Sequence, residues 1–144
     1  METLAIDPQT IDLDGLIERG THLHGHLGPF LIAGIRMGLL ALELLDSPGY
    51  FGVEADSETG TVTPLSCLTD GVQIGSGCTL GKGNIRVTDE HRPRVHFSGE
   101  TGKRVTIELR PDVYRGFLDG KMAEQSTVAR QRTPEELFIW NVPQ

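Results

Sequence analysis

The chain has 144 residues, 38% of them hydrophobic and 23% charged, with a formal net charge of −7 at pH 7. That size and balance suit one globular domain with one core over residues 1–144, and exclude a disordered or fibrous chain. The acidic charge and the absence of any basic run speak against nucleic acid and anionic lipid, because neutralising phosphates takes clustered Lys and Arg.

The opening METLAIDPQTIDLDG has no basic start and no apolar core, so it is not read as a secretory signal, and a cytoplasmic location is expected. Two cysteines in a reducing compartment are expected as thiols or metal ligands before a disulfide. From about Thr10 to Gly20, the apolar positions Ile11, Leu13, Leu16 and Ile17 fit one helical face, with Gly20 as the stop. THLHGHLGPF then places His22, His24 and His26 at alternate positions of a connection. In an extended segment such residues point the same way and converge. Pro29 suits the first turn of the next helix.

That helix, Pro29 to Leu45, is apolar nearly all round, which predicts burial on every side. It is too short for a membrane span, which needs ~20 residues. Gly34 and Gly38 each cost up to ~1 kcal/mol inside a helix. Close approach of another backbone offsets that cost, either the same helix of a second subunit or a strand of this chain. Ser47-Pro48-Gly49 reads as a turn, followed by short strands around Val53 and Val62. CLTDGVQIGSG, from Cys67, reads as a short helix running out into glycines. Three strands follow, Asn84–Thr88, Arg94–Ser98 and Arg104–Leu109, expected as antiparallel hairpins with turns at Asp89-Glu90 and Gly99–Gly102. A helix begins at Pro111 and breaks at Gly120, and TPEELF carries a Thr N-cap with Pro behind it. Helices flanking hairpins define an α+β class, with buried N-terminal helices packed on a mainly antiparallel sheet.

Two imidazoles and two thiols are a donor set that zinc prefers. His24, His26, Cys67 and Cys78 are therefore the candidate metal ligands, with His22 as a spare. The spacing is not that of a CxxC knuckle, and the alternative is solvated loop histidines with two buried cysteines. GSGCTLGKGN is glycine-rich and carries Lys82, but it fails the P-loop pattern. Ser76 stands where the first Gly belongs, and Gly83 follows Lys82 in place of Ser or Thr. Its backbone N–H groups leave an anionic ligand open. Cys67, Asp70 and Lys82 are the candidate catalytic residues. Asp70 and Gln73 lie on the short helix, and Cys67 near its start is expected to feel a lowered thiol pKa. His91 and His96 are expected to be exposed or simply packed.

HGHLGPFLIAGIRMG followed by CLTDGVQIGSGCTLGKGN resembles the FmdE family, which takes its name from a component of formylmethanofuran dehydrogenase. His24, Gly25, His26 and Pro29 match its first block. Cys67, Asp70, Gln73, Gly77, Cys78, Thr79, Gly81, Lys82, Gly83 and Asn84 match its second, and PEELF is similar to its tail. The likeness extends over about residues 12 to 140. It implies an α+β domain that pairs as a homodimer, with a metal site at the two blocks and a divalent ion, zinc first, as the cofactor. Two features depart from the family: its first-block cysteine is Gly28 here, and the C-terminal four-cysteine module of some members is absent. No tungsten- or molybdenum-cofactor signature is present. The expected function is a metal-dependent enzyme or redox-accessory domain with an open coordination position. The alternatives are a metal-carrying or sensing module without turnover, or a structural dimer whose site has decayed.

Overall fold

A computed structural model describes residues 2–141. Its described elements are α1 (Leu13–His24), α2 (Pro29–Leu45), β1 (Val53–Ser57), α3 (Cys67–Ser76), a 3-10 turn (Leu80–Lys82), β2 (Ile85–Val87), β3 (Arg94–Gly99), β4 (Arg104–Leu109), α4 (Pro111–Asp119), α5 (Met122–Gln131), α6 (Pro134–Leu137) and β5 (Phe138–Trp140). The class is α+β. No helix among the described residues is long and apolar enough to cross a membrane.

The centre of the molecule is α2. It runs over the expected residues and buries 14 of its 17, so no single face carries it. α1, α3, α5 and the sheet surround it. Each buried Leu or Ile contributes roughly 1.5–3 kcal/mol. Its one cation inside the packed region, Arg36, reaches the carbonyls of Ala129, Arg130 and Arg132 at the end of α5. A guanidinium there satisfies acceptors that the end of α5 leaves without intrahelical partners.

The glycines of α2 face α3, not a second subunit and not a strand. A Cβ on Gly34 would stand 2.0 Å from the Leu68 carbonyl oxygen, and one on Gly38 would stand 2.7 Å from the Ser76 nitrogen. From the other side, a Cβ on Gly71 or Gly75 would lie 2.2 or 2.1 Å from the carbonyl oxygens of Leu31 and Ile35. Four glycines thus bring the two backbones into contact, and a homodimer built on the Gly34/Gly38 face is excluded because α3 already fills it.

The sheet has the order β2-β1-β3-β4-β5. β3 and β4 form the expected hairpin, Phe97 opposite Val105. β2 does not pair with β3. It lies parallel to β1, Ala55 opposite Ile85, and β1 lies antiparallel to β3. A parallel pair needs a long crossover, and α3 supplies it. No strand forms at Val62; the chain makes only an isolated bridge from Thr59 to Asp89 there. The N-cap of α6 is Thr133, in a capping box with Glu136. β5, a three-residue strand on the edge of β4, is not announced by any periodicity in the sequence. Val53, Ala55, Val95, Phe97, Val105 and Ile107 alternate inward from the sheet and are all buried. The opposite face carries Glu54, Arg86, His96 and Arg104.

Candidate functional site

α1 does not stop at Gly20. That residue packs closely on Ile35, whose Cδ1 would lie 3.0 Å from an added Cβ. The helix continues to His24 and ends at Gly25, whose φ of 86° is the left-handed cap. The three histidines are therefore not one extended row. His22 and His24 sit two apart on a helix, about 200° around its axis, so they diverge. His22 is exposed, whereas His24 turns inward. His26 follows the cap in the loop and is exposed.

His24 meets the first turn of α3. Its Nδ1 stands 2.6 Å from Oδ2 of Asp70, although the two are 46 positions apart. The side chain of His24 is 16% exposed and that of Asp70 37%. A carboxylate only accepts, so Nδ1 carries the hydrogen, and in the neutral ring Nε2 is left with a free lone pair. The other Asp70 oxygen accepts from Gln73 at 3.3 Å. Asp70 and Gln73 are one helical step apart (i, i+3), as is Cys67 from Asp70, so all three share a face of α3.

His24 forms part of two concavities. One is a cleft of about 870 Å³ lined by α3 and its N-cap Ser66 (with Thr69, Asp70, Gln73), by Leu80 and by the whole of β2. The other is a small cavity of about 50 Å³, where His24 is joined by His26, Gly28 and Cys67. Under the cleft, Thr69 is hydrogen-bonded to Ser57 at 2.8 Å and to Thr59 at 2.7 Å, a buried hydroxyl cluster that ties α3 to β1.

The other sequence candidates lie elsewhere. Cys78 follows the far end of α3, a helix of ten residues and hence about 15 Å long. It is wholly buried and its thiol points at the Val53 carbonyl, 3.6 Å away. Cys67 and Cys78 are thus too far apart for one ion, whose bonds are about 2.3 Å each. Lys82 donates to the Gly77 carbonyl at 2.8 Å and to Thr79 Oγ1 at 2.9 Å, over the ring of Phe51. It closes the C-terminal end of α3 and lines neither concavity shared by His24. The glycine-rich block is a connection held by Asn84, which accepts from the Thr79 N–H and donates to the carbonyls of Tyr50 and Val53.

Neither thiol is activated. Burial pushes the Cys67 thiol up, and the nearby Asp70 charge adds to it; both outweigh the hydrogen bond from its own backbone N–H, which alone would lower it. Burial also pushes up Cys78. Among the described residues, no three His, Cys, Asp or Glu side chains stand at the spacing that holds a metal ion. His91 is exposed beside Asp89, and His96 bonds Glu58 and Thr106 within the sheet. Arg86 on β2, unremarked in the sequence, lines the cleft with its charge matched by Asp56 at 2.7 Å and Glu54 at 3.2 Å. No sequence signal points to it, since cross-strand pairing on β1 creates the match.

An α+β domain with a glycine-packed helix pair and a His–Asp pair between its two blocks defines the class of protein. Residues 23–142 match the family model described as FmdE, molybdenum formylmethanofuran dehydrogenase operon, and the chain belongs to the FmdE family. A protein of Archaeoglobus fulgidus, named a probable S-adenosyl-L-methionine-binding protein, is 37% identical over 90 residues, covering 58% of this chain and 23% of that protein. The chain thus spans about a quarter of that relative's length. The crystal structure of a tungsten formylmethanofuran dehydrogenase FmdE-like protein from Syntrophus aciditrophicus superposes with a TM-score of 0.67. The match covers 96% of this chain and 76% of that one at 20% identity, a likeness of fold.

Proposed function

We propose that this chain is a metal-dependent small-molecule-binding domain with its centre at His24. The observation that carries the reading is that one oriented imidazole is shared by a cleft and a small cavity. Asp70 holds Nδ1, the arrangement that orients a ligating histidine, and leaves Nε2 for an ion. His26 and Cys67 are the other donors around the small cavity. Two imidazoles and a thiolate suit zinc in kind. They are not already at bonding distance, so binding draws in the exposed His26, and Cys67 must lose a proton. Cys78 has no part in it. An ion with an open position supplies Lewis acidity toward a molecule in the cleft. A homodimer, if formed, uses a surface other than the glycine face.

The test is elemental analysis of untagged protein with a zinc titration. One zinc per chain, lost in His24→Ala and Cys67→Ser and kept in Cys78→Ser, supports the reading. Absence of stoichiometric metal after zinc loading overturns it.

A second reading is a binding module without a resident metal, in which the His24–Asp70 pair faces the ligand directly. The separation of the donors favours it. So does the name of the Archaeoglobus relative, which suggests an adenosyl compound. Saturable binding of S-adenosylmethionine by metal-free protein supports this reading.

A further inference from the structure

We infer that the cleft takes an uncharged nucleoside-class ligand, whose heterocyclic edge pairs with the free backbone edge of β2. The inference rests on the reading that this cleft is the ligand site, and on neither metal state.

The strand register supplies the first observation. The Ala55 N–H donates to the Asn84 carbonyl, the Thr88 N–H donates to the Ser57 carbonyl, and the Gly60 N–H donates to the Thr88 carbonyl. In a parallel pair the residues that face the partner alternate. Asn84, Arg86 and Thr88 therefore turn their amides toward β1, and Ile85 and Val87 turn theirs away. β2 is at the end of the sheet. Among the described residues, no hydrogen bond outside the sheet uses the main chain of Ile85 or Val87.

The second observation is where that edge lies. Successive strand side chains point to opposite faces, yet Ile85, Arg86, Val87 and Thr88 all line the cleft. The cleft therefore runs along the edge itself, with the Ser66/Thr69/Asp70/Gln73 face of α3 across from it. At about 870 Å³ it lies within the range of small-molecule sites.

The chemistry of the lining names the ligand. The Ile85 carbonyl and the Val87 N–H stand side by side, acceptor next to donor. Their complement is a ring nitrogen beside an exocyclic amine. Leu80, which is 81% exposed, and Val87 offer apolar surface to the faces of a ring. Thr61, Thr63 and Ser66 offer hydroxyls to a sugar. Arg86 is already paired with Asp56 and Glu54, and Asp70 adds negative charge while accepting from His24. Among the described residues lining the cleft, no Lys or Arg is free for a phosphate, and the chain carries −7 overall. The site thus favours a nucleoside over a nucleotide.

The test uses the full chain, metal-free and zinc-loaded, titrated with adenosine and with ATP. Binding is followed by calorimetry and by amide shifts in 15N-labelled protein. Adenosine is expected to bind saturably in both states, at least about ten-fold tighter than ATP, with the Ile85 and Val87 amides among those that shift. Val87→Pro deletes a donor that β1 does not use, and should weaken adenosine at least about ten-fold while leaving the circular dichroism unchanged. Leu80→Asp, at an exposed lip, should weaken it similarly and decides the matter if the proline variant misfolds. Failure of adenosine to saturate, ATP binding as tightly as adenosine, or both variants binding like the parent would overturn the inference. Zinc stoichiometry is read separately, so a failure here leaves the metal reading untouched.

Discussion

Oδ2 of Asp70 lies 2.6 Å from Nδ1 of His24, a contact that joins the end of α1 to the first turn of α3. The pair fixes which imidazole nitrogen faces the concavities. Asp70→Ala should leave the fold intact, because Asp70 is only half-buried, but free the ring to rotate. Zinc affinity should fall by about 10–100-fold, the usual cost of losing such a partner. A competition titration with a chromogenic chelator measures it. Unchanged affinity would mean that Asp70 does not orient a ligating His24.

The two thiols are expected to separate by role. Cys67→Ser should lower zinc retention, whereas Cys78→Ser should leave zinc alone and instead cost stability by burying a hydroxyl among apolar groups, about 1–3 kcal/mol. Because burial and Asp70 hold the Cys67 thiol above its ordinary value, an ion must displace a firmly held proton there. Retention should therefore weaken as pH falls. Dialysis against zinc-free buffer at successive pH values reads it out.

Raised thiol pKa values also predict alkaline sensitivity. Above the ordinary value of 9.0 the unfolded chain releases protons that the folded Cys67 and Cys78 keep. Their contribution is complete below that pH and declines as pH rises through the folded values. Urea midpoints should drop as pH rises above the ordinary value of 9.0, and the drop should shrink in Cys78→Val. An equal drop in that variant would assign the effect to other groups.

Glu58 gives the opposite sign. It is 5% exposed. Burial acts to raise its pKa, but the hydrogen bonds and charges of Arg94 and His96 together outweigh burial and leave it below the ordinary 4.5. Its stabilisation is present above that value and is lost as pH falls through the folded one. Glu58→Gln should destabilise the fold by about 1–3 kcal/mol at neutral pH and flatten the acid limb of the stability profile. Chemical unfolding across the acid range tests both statements.

Close backbone contact makes the helix glycines intolerant. Gly34→Ala puts a methyl 2.0 Å from the Leu68 carbonyl oxygen and should cost about 3 kcal/mol by forcing the helices apart. Gly81→Ala, where the methyl meets nothing within 4 Å, should stay within about 0.5 kcal/mol. Gly38→Leu should unfold the chain rather than merely dissociate it, as light scattering with circular dichroism would show. Gly28→Cys is a different case. Gly28 is in an ordinary extended conformation, and its new Cβ would lie 3.6 Å from the His26 ring. That variant should fold normally and hold zinc more tightly than the parent, by the same competition titration.

Local pattern was enough for much of this architecture. The bounds of α2 follow from Pro29 and an unbroken apolar run, and those of α3 from the residues between Cys67 and the glycines. The β3–β4 hairpin follows from two alternating segments across a Gly-rich turn. Pairing over distance was not legible. Nothing within Ile85–Val87 says that β1, rather than β3, will be its neighbour, and three residues at Phe138–Trp140 carry too little periodicity to mark β5. The histidine row looks extended because Gly20 reads as a stop, whereas in the fold that glycine lies inside the helix, packed on Ile35. Gly34 and Gly38 announce a close contact, but the partner, Gly71 and Gly75, is chosen by how α3 crosses back over α2. The His24–Asp70 pair and the placement of Cys78 have the same origin. Periodicity is a property of neighbouring residues and survives in the bare sequence, whereas a site is made where segments far apart in the chain are packed together.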